Sequence, residues 1–533
     1  MQQLPPSIYY IWHTPSSTPA RAMQNMGALW PWIQACLAIV TLIEILWLLL
    51  RNRSTKETAR LNLPPGPLGL PIIGNLHQLG SLPHRSFASL SWKHGPLMFL
   101  QLGRVPTLVI SSAKMAKEVM KTQDLAFASR PFLVAANRLC YGSTDMAFAP
   151  YGDYWRQVRK ICVLQLLSIK KVQSFKLVRE EEVASMVRAI SGSFGGGPVN
   201  LSEAFYTLAN NLICRVALGK SYYSEGQQRK YDFRKIVGEF AELLGAFCAR
   251  DFFPSMGWVD IVTGIRARLN NNFKDLDGFL DEVITEHQGK EVPDPTTKQQ
   301  SDFVDILLQL QKDPSLDVPL SMDNIKAIIL DMFSGGTETS ATTLEWLMSE
   351  LIRNPIVMRT VQEELQRVVG GKGKVFVEEE DLHELQYLQS TIKETLRLYP
   401  PAPLLVPREL REKTTINGHD IPANTRVYIN AWAIGRQHDS WERVDEFFPE
   451  RFMNNDIDFK GHDFEFIPFG AGRRGCPGYH FALQIVELAA ANLLHCFNWK
   501  LPSGCQGLDM AESSGLTMHR KSPLLLVATP RCT

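Results

Sequence analysis

The chain has 533 residues, of which 45% are hydrophobic and 21% charged, and these proportions are typical of an ordinary globular protein and exclude a disordered or fibrous one. The formal net charge of +1 at pH 7 gives no reason to expect a nucleic-acid partner. The nine cysteines form no C-x-x-C pair, so we expect most of them to be reduced in a compartment that faces the cytosol.

The N-terminal sequence predicts a membrane anchor. Residues 1–28 form a polar leader, and residues 29–50 contain an apolar run in which the only charge between Ile33 and Leu50 is that of Glu44. About 20 apolar residues are needed to span a bilayer. Basic residues follow this run: Arg51, Arg53, Lys56 and Arg60. Because basic residues beside a span resist translocation, we expect this flank and the main body of the protein to face the cytosol.

Two alternatives for this N-terminal segment stay open. A cleaved signal peptide needs a shorter apolar core and a small-residue cleavage site, and the sequence WLLLRNRS offers neither. Glu44 is unfavourable in lipid, which weighs against a span. Translation could also begin at Met26, because the sequence MGALWPW is a more usual lead into an anchor.

The remaining chain is predicted to form one domain behind a stiff connector. Residues 51–71 combine the basic flank with a proline-rich hinge, in which fixed φ angles and missing N–H donors favour an extended backbone. Beyond this hinge there is no repeat and no second self-contained pattern of strands and helices. We therefore expect residues 72–533 to form a single cytosolic domain.

The periodicity of this domain predicts a mainly α fold with a minor β-sheet region. The sequence PLMFLQLGRVPTLVISS reads as two short strands around a turn at residues 103–106, and residues 192–198 and 288–302 read as loops. Amphipathic helices are predicted over the ranges Ala113–Gln123, Glu180–Ile190, Leu201–Leu218, Phe273–His287, Asn324–Arg353 and Val357–Val369.

The segment FGAGRRGCPG places a single cysteine, Cys476, before a helix-forming run in which Pro477 lies near the first turn. A helix N-terminus stabilises a thiolate over a thiol. Three glycines let the backbone approach the sulfur closely: Gly470, Gly472 and Gly475. Zinc would need three further ligands at short spacing, and none is present. A lone thiolate in such a loop fits an axial ligand to haem iron, and the alternative is a buried free cysteine in a tight turn.

The positions of this loop match a known signature, F-x-x-G-x-R-x-C-x-G, through Phe469, Gly472, Arg474, Cys476 and Gly478. The chain therefore resembles a cytochrome P-450, a haem-thiolate monooxygenase. The segments GRQHDSWERVDEFFPERF and FGAGRRGCPGYHFA are most similar to plant microsomal enzymes of specialised metabolism. The resemblance implies the cytochrome P-450 fold, with haem b (iron protoporphyrin IX) as cofactor and Cys476 as the metal ligand.

A second motif lies in the predicted helix at DMFSGGTETSATTLEW. Gly335 and Gly336 cost about 1 kcal/mol each inside a helix, which suggests a local opening or a close contact with a ligand. Alone, GGTETS is more often a turn or a helix cap, but apolar periodicity on both sides favours a helix. The segment is similar to the family motif [AG]-G-x-[DE]-T, which implies catalytic roles for Thr339 as the oxygen-facing hydroxyl and Glu338 as an acid in a water-linked proton relay.

Glu394 and Arg397 form an E-x-x-R pair, which alone is weak evidence because most such pairs are solvated surface contacts. The segment FFPERF precedes the cysteine loop, and the family resemblance implies that Arg451 within it completes a buried structural network with Glu394 and Arg397.

The family resemblance also implies donors for the haem propionates, which suit Arg forks and indole N–H groups. Trp155 and Arg159 match a W-x-x-x-R motif and lie at i and i+4 on a predicted helix. By the same resemblance, Arg408 and Arg474 complete the propionate clamp.

Exposed basic residues are candidates for a partner surface. Arg156 and Lys160 point away from Trp155 on the predicted helix, and a basic face around Lys170, Lys171 and Arg473 could dock an acidic electron donor; simple solubility is the alternative. Since the chain has no flavin or nicotinamide fingerprint, electrons are expected from NADPH only indirectly, through a separate NADPH-cytochrome reductase.

These features together predict a single-pass endoplasmic-reticulum membrane enzyme that inserts one atom of O2 into a small lipophilic metabolite, such as a terpenoid, phenolic or alkaloid. Two alternatives stay open. A haem-thiolate isomerase or dehydratase needs no external electrons, and a non-catalytic haem-binding protein needs neither Glu338 nor Thr339. Substrate contacts are expected in the segments Phe132–Phe148, Leu243–Trp258, Ile328–Phe333, Leu404–Val406 and Gly515–Met518.

Overall fold

The structure is a computed structural model that describes Ala38 and residues 61–194, 197–221, 233–289, 301–505, 507–513 and 515–531. The chain divides into two units, Met1–Asn62 and Leu63–Thr533, and the following description concerns the second. Among the described residues, no helix combines the length and the apolar character needed to cross a bilayer. The predicted anchor, residues 29–50, lies outside the described residues except for Ala38.

Helices form the bulk of the second unit. The α-helices are α1 Pro83–His94, α2 Ala113–Lys117, α3 Val134–Leu139, α4 Asp153–Ile161, α5 Ile169–Ser174, α6 Lys176–Gly192, α7 Leu201–Leu218, α8 Phe233–Leu244, α9 Val259–Val262, α10 Ile265–Gln288, α11 Phe303–Gln311, α12 Met322–Arg353, α13 Pro355–Val368, α14 Gln386–Leu398, α15 Ala431–Ile434 and α16 Tyr479–Cys496. Short 3₁₀ turns occur at Leu76–Gln78, Ala249–Asp251, Pro254–Met256, Gly370–Lys372, Glu379–Glu384, Pro449–Phe452 and Gly472–Arg474.

In the described part of the chain, three small sheets accompany the helices. The strands are β1 Leu97–Leu102, β2 Val105–Ile110, β3 Val199–Asn200, β4 Arg408–Glu409, β5 Thr414–Ile416, β6 His419–Ile421, β7 Arg426–Ile429, β8 Phe497–Lys500 and β9 Leu525–Pro530. The largest sheet has the order β1-β2-β7-β4, in which β2 and β7 run parallel and the other pairs antiparallel. The others have the orders β3-β9-β8 and β5-β6.

The 32-residue helix α12 forms the centre of the fold and packs against α7, α14 and α16. Its first turn is closed by a capping box, in which Ser321 and Asn324 each accept a hydrogen bond from the other's backbone N–H, at 3.1 and 2.9 Å. The helix ends before Pro355, which opens α13 and lacks the N–H that a continuing helix needs. Trp346 of α12 is fully buried and stacks on Tyr399 at 4.2 Å between ring centroids.

The E-x-x-R pair belongs to a buried ionic network. Arg397 donates to both carboxylate oxygens of Glu394, at 2.7 and 2.8 Å, and Arg451 Nε lies 3.0 Å from Glu394 Oε2. Arg397 also donates to the carbonyls of Gly435 and Val444. The network therefore ties α14 to the two segments that lead into the cysteine loop.

The predicted helices are present, and most of their ends differ by about four residues or fewer, but α10 begins at Ile265, well before the predicted Phe273. Helix α7 has the predicted bounds, while α12 begins at Met322 and ends at the predicted Arg353. The predicted helix over residues 113–123 divides, because α2 ends at Lys117 and Glu118–Thr122 continues as a π-helical turn. The strand pair is confirmed, with a tighter turn at Gly103 and Arg104 than predicted. Most of the predicted loop at residues 288–302 lies outside the described residues.

Candidate active site

The cysteine loop is a tight bend that its glycines make possible. Gly470 and Gly472 have φ angles of +67° and +68°, in the left-handed region that favours glycine. A Cβ on Gly472 would lie 2.2 Å from the carbonyl oxygen of Met120, so the loop also packs closely on the neighbouring backbone. The N–H of Cys476 closes the bend by donating to the carbonyl of Phe469, at 2.9 Å.

The sulfur of Cys476 accepts hydrogen bonds from the backbone N–H groups of Gly478 and Tyr479, the residues that open α16. These donors and the charge of Arg159 favour the thiolate, but burial outweighs them and raises the pKa of the free Cys476 thiol. The residue retains accessible surface because its thiol lines an internal cavity. The sulfur thus faces an interior space with donors already directed at it.

This internal space, which we call the main cavity, brings together most of the predicted site. Its lining includes Cys476 from the cysteine loop and Thr339 from α12. The four predicted propionate donors also line it: Trp155, Arg159, Arg408 and Arg474. Its apolar wall includes Phe148, Ile213, Phe240, Leu244, Leu405, Val406 and Leu516.

A cluster of four guanidinium groups lines one region of the main cavity, and we call it the cationic cluster: Arg130, Arg159, Arg408 and Arg474. Burial, together with the other arginines, lowers the pKa of Arg130 and lowers that of Arg474 to about 9. Two carboxylates interact with the cluster: Asp124 pairs with Arg408, and the charge of Asp145 acts on Arg130 and Arg474. The cluster therefore carries more positive than negative charge.

The residues present fit haem. Three buried guanidinium groups and the half-buried one of Arg159, with too few carboxylates beside them, suit a porphyrin that carries two propionates, and an inward-facing thiol suits its iron. The donors now bond chiefly to main-chain carbonyls: Trp155 Nε1 to Met146 at 3.0 Å, Arg159 to Gly475 at 2.6 Å, Arg408 to Ala471 at 2.9 Å, and Arg474 to Ala149 at 2.6 Å. Each arginine has five N–H donors, so such bonds leave others for propionates.

Helix α12 runs unbroken past Gly335 and Gly336, so the predicted local opening is not seen. Gly335 lines the main cavity, and a Cβ there would meet no atom within 4 Å. A Cβ on Gly336 would lie 2.3 Å from Cδ1 of Ile213, so this glycine permits the close approach of α7. The Thr339 hydroxyl donates to the carbonyl of Gly335, at 2.6 Å, one turn earlier.

Glu338 faces a second cavity on another side of α12. This space, the polar cavity, is lined by Asn200, Ser202, Glu203, Tyr206, Glu338, Ala341, Thr342, Glu345, His519, Arg520, Lys521 and Pro523. The Glu338 carboxylate accepts a hydrogen bond from the Thr517 hydroxyl, at 3.2 Å, and lies 3.8 Å from Nε2 of His519. Burial raises the pKa of Glu338 to about 7. Since Thr517 also lines the main cavity, it connects the acid to that space.

The sequence profile of the cytochrome P-450 family matches residues 64–527, nearly all of the second unit. The chain belongs to the cytochrome P-450 family. Cytochrome P-450 71A1 of Persea americana is 57% identical over 85% of this chain and 91% of its own length. Strychnine-11-hydroxylase of Strychnos nux-vomica is 50% identical, with 91% and 95% covered. Phenylacetaldehyde oxime monooxygenase of Prunus mume is 50% identical, with 92% and 93% covered.

Solved structures agree with the family assignment. A zebra fish cytochrome P-450 determined with abiraterone superimposes with a TM-score of 0.71 at 27% identity, covering 85% of this chain and 100% of its own. The fold is thus the mainly helical cytochrome P-450 fold. Members of this family bind haem, and the plant relatives include a named hydroxylase and a named monooxygenase. This P-450 is accordingly a haem-dependent monooxygenase.

Several residues of the P-450 site were not predicted from the sequence. Arg130 belongs to the cationic cluster, yet it lies in no recognised motif, and ASRPF around it reads as an ordinary loop. Thr517 falls within the predicted substrate segment Gly515–Met518, and no sequence motif marks His519. Ile213 and Phe240 reach the main cavity from α7 and α8, outside the predicted substrate segments. A two-residue spacing links Thr517 to His519, but only the tertiary structure places both beside Glu338.

Proposed function

We propose that this P-450 oxygenates a small lipophilic specialised metabolite at the main cavity, with Cys476 as the haem ligand. One observation carries this assignment: the Cys476 thiol and the Thr339 hydroxyl, from two distant segments, line the same largely apolar cavity. When bound, the haem supplies the oxygen-activating chemistry that thiolate donation favours. The apolar wall binds the substrate mainly by burying its hydrocarbon surface.

The cationic cluster and Trp155 position the cofactor in this proposal. The four arginines of the cationic cluster neutralise and orient the propionates. Loss of one of these positive charges weakens the binding of the propionates. Trp155 stacks under Arg474, with 4.0 Å from the guanidinium carbon to the ring centroid. Its indole thus packs against the guanidinium plane and limits the positions that Arg474 adopts.

Glu338, Thr517 and Thr339 form the proposed route for protons. Glu338 takes a proton from the polar cavity, where His519 lies beside it and hydrogen-bonds to Thr342 at 2.8 Å. The Thr517 hydroxyl relays the proton from Glu338 towards the main cavity. It is placed to do so because it hydrogen-bonds to Glu338 and also lines that cavity. Thr339 holds its hydroxyl at the cavity wall. The apolar surroundings limit the entry of bulk water.

The electron donor is proposed to be an NADPH-cytochrome reductase. Lys160 and Lys170 are exposed and available to an acidic partner, and Arg156 is exposed but pairs with Asp153. Lys171 is partly engaged, because its ammonium group donates to the carbonyl of Ser301 at 2.6 Å, and Arg473 pairs with Asp124 at 2.9 Å. The apolar segment 29–50 and its basic flank support a location in the endoplasmic-reticulum membrane with the domain facing the cytosol.

The test is oxygen incorporation in microsomes that contain the full chain and a co-expressed reductase. Candidate terpenoids, phenolics and alkaloids are supplied with NADPH under labelled dioxygen, and products are analysed by mass spectrometry. A product that needs NADPH and carries one labelled oxygen atom supports the proposal. A haem isomerase or dehydratase would turn over without NADPH and without the label, and a carrier would give no product at all.

A further inference from the structure

Two carboxylic acids meet beside the cationic cluster, and the sequence motifs assign neither of them a role. Asp145 follows α3, and Asp331 lies on α12 about two turns before Thr339. The two carboxyl groups are in hydrogen-bonding contact. Asp145 is fully buried, and Asp331 lines the main cavity.

One oxygen of this pair lacks a donor. Among the described residues, no N–H or hydroxyl group donates a hydrogen bond to Asp145 Oδ1. Two adjacent buried carboxylates repel each other, so such pairs retain one proton. Burial raises the pKa of Asp331 well above its ordinary value, with the charge of Asp145 as the next cause, and burial raises that of Asp145 to about 6. A proton between the two groups supplies the missing donor.

The pair holds the backbone segment that positions the haem-edge donors. Asp331 Oδ2 accepts from the N–H of Met146 at 2.6 Å, and Asp145 Oδ2 accepts from the N–H of Phe148 at 2.9 Å. The carbonyls of the same segment accept from three cavity-lining side chains: Trp155 and Arg474 at Met146, Arg130 at Ala147, and Arg474 at Ala149. The segment 145–149 is therefore bound to α12 on one side and to the cationic cluster on the other.

We propose that Asp145 and Asp331 share one proton and act as positioning residues. This proton-sharing pair, which we call the latch, holds the segment 145–149 against α12. It thereby keeps Trp155, Arg130 and Arg474 in place at the haem edge. The inference rests on the proposed haem site, since its consequence is haem retention. The shared proton itself is a property of the folded protein and needs no turnover.

The pH dependence of the latch follows from its surroundings. The titratable and charged groups that act on the pair are Arg130, Cys140, Tyr154, Cys162 and Arg474. Both aspartates have pKa values raised above the unfolded value of about 3.9. The stability that this pair contributes is therefore fully present below that value and is lost as the pH rises through the raised pKa values.

The sharpest test is the substitution Asp331→Asn in the full-length haem protein. An asparagine amide can donate to the Asp145 carboxylate while its oxygen accepts from the N–H of Met146, so it imitates the protonated acid without titrating. The infrared difference spectrum between the wild type and D331N at neutral pH should show a protonated-carboxyl band that is present in the wild type and absent from D331N. Asp323→Asn, on the exposed first turn of the same helix, is the matched control and should leave that band unchanged.

Haem retention provides the second readout. The rate of haem transfer to apomyoglobin should rise with pH above neutrality in the wild type and stay nearly flat in D331N, whereas Asp331→Leu should lose haem faster at every pH. If the D331N spectrum lacks the band difference, or if haem loss from D331N follows the wild-type pH dependence, the latch is refuted. If both results agree with the latch but the protein shows no NADPH-dependent oxygenation, the proposed function is refuted and the latch is not.

Discussion

Glu338 and Thr339 are adjacent in the sequence, but their side chains line different cavities of this P-450. Thr339 lines the main cavity together with Cys476, whereas Glu338 lines the polar cavity. Successive residues of a helix point about 100° apart, so one acid and one hydroxyl can face two spaces without any break in α12. The described contact that joins the two sides is the hydrogen bond from Thr517 to Glu338.

Replacement of Thr339 by alanine should uncouple electron use from product formation. Without the hydroxyl at the cavity wall, we expect product formation to fall about 100-fold, the lower end of the range for positioned proton-transfer groups, while NADPH oxidation continues. Product and NADPH are measured in the same microsomes. Thr339→Ser retains the hydroxyl and should stay near the wild type. Equal product per NADPH in the alanine variant would remove Thr339 from the proton route.

Glu338 should make the coupling, that is, the amount of product formed per NADPH consumed, depend on pH. Burial raises its pKa to about 7, so the group holds a proton below that pH and is ionised above it. We expect product per NADPH to decline as the pH rises through about 7 in the wild type. The yield in Glu338→Gln should be low and independent of pH, while Glu338→Asp should retain a pH dependence. If the decline in product per NADPH with rising pH is the same in Glu338→Gln as in the wild type, a group other than Glu338 causes the decline.

Removal of the Thr517 hydroxyl should shift this pH dependence upward. The hydrogen bond from Thr517 lowers the pKa of Glu338 against the larger effect of burial, so Thr517→Val should raise the midpoint of the coupling profile and reduce product formation. Thr517→Ser keeps the donor and serves as the control. If the midpoint is identical in the valine and serine variants, the Thr517 hydroxyl does not affect the pKa of Glu338.

Loss of Glu394 should destabilise the fold around the cysteine loop. Substitution of Glu394 by alanine leaves Arg397 and Arg451 buried without their counterion, and breaking a buried pair in this way costs about 3–5 kcal/mol. Glu446→Ala is the matched control, because it breaks an exposed, solvent-screened pair with Arg443 that should contribute little to stability. Thermal unfolding of the two haem proteins gives the comparison. Similar midpoints for both variants would contradict a structural role for the network.

Local sequence patterns predicted the parts of the site that depend on short spacing. The cysteine loop could be recognised because Gly470 and Gly472 must adopt left-handed φ angles and because α16 begins directly after the bend. The helical ranges followed from apolar periodicity, although α12 is buried on all sides from Ser340 to Leu351. Turns of the backbone that depend on tertiary contacts, such as the π-helical end of the 113–122 region, left no such pattern.

The rest of the site depends on contacts between distant segments. Arg130 joins the cationic cluster through bonds to Ala147, Val406 and Pro407, which no spacing in the sequence indicates. The partnership of Asp145 and Asp331 likewise joins two elements that are far apart in the chain. The glycines of the cysteine loop are expected from the sequence to bring the backbone close to the sulfur, whereas Gly472 instead packs against the backbone of Met120.

The most direct measurement is the carbon monoxide spectrum of the reduced full-length protein and of its Cys476→Ser variant. If the sulfur of Cys476 binds the haem iron, the wild type should show the red-shifted Soret band of thiolate ligation, and the serine variant should lack it. A wild type without that band, or a serine variant that retains it, would contradict the assignment of Cys476 on which the proposed function depends.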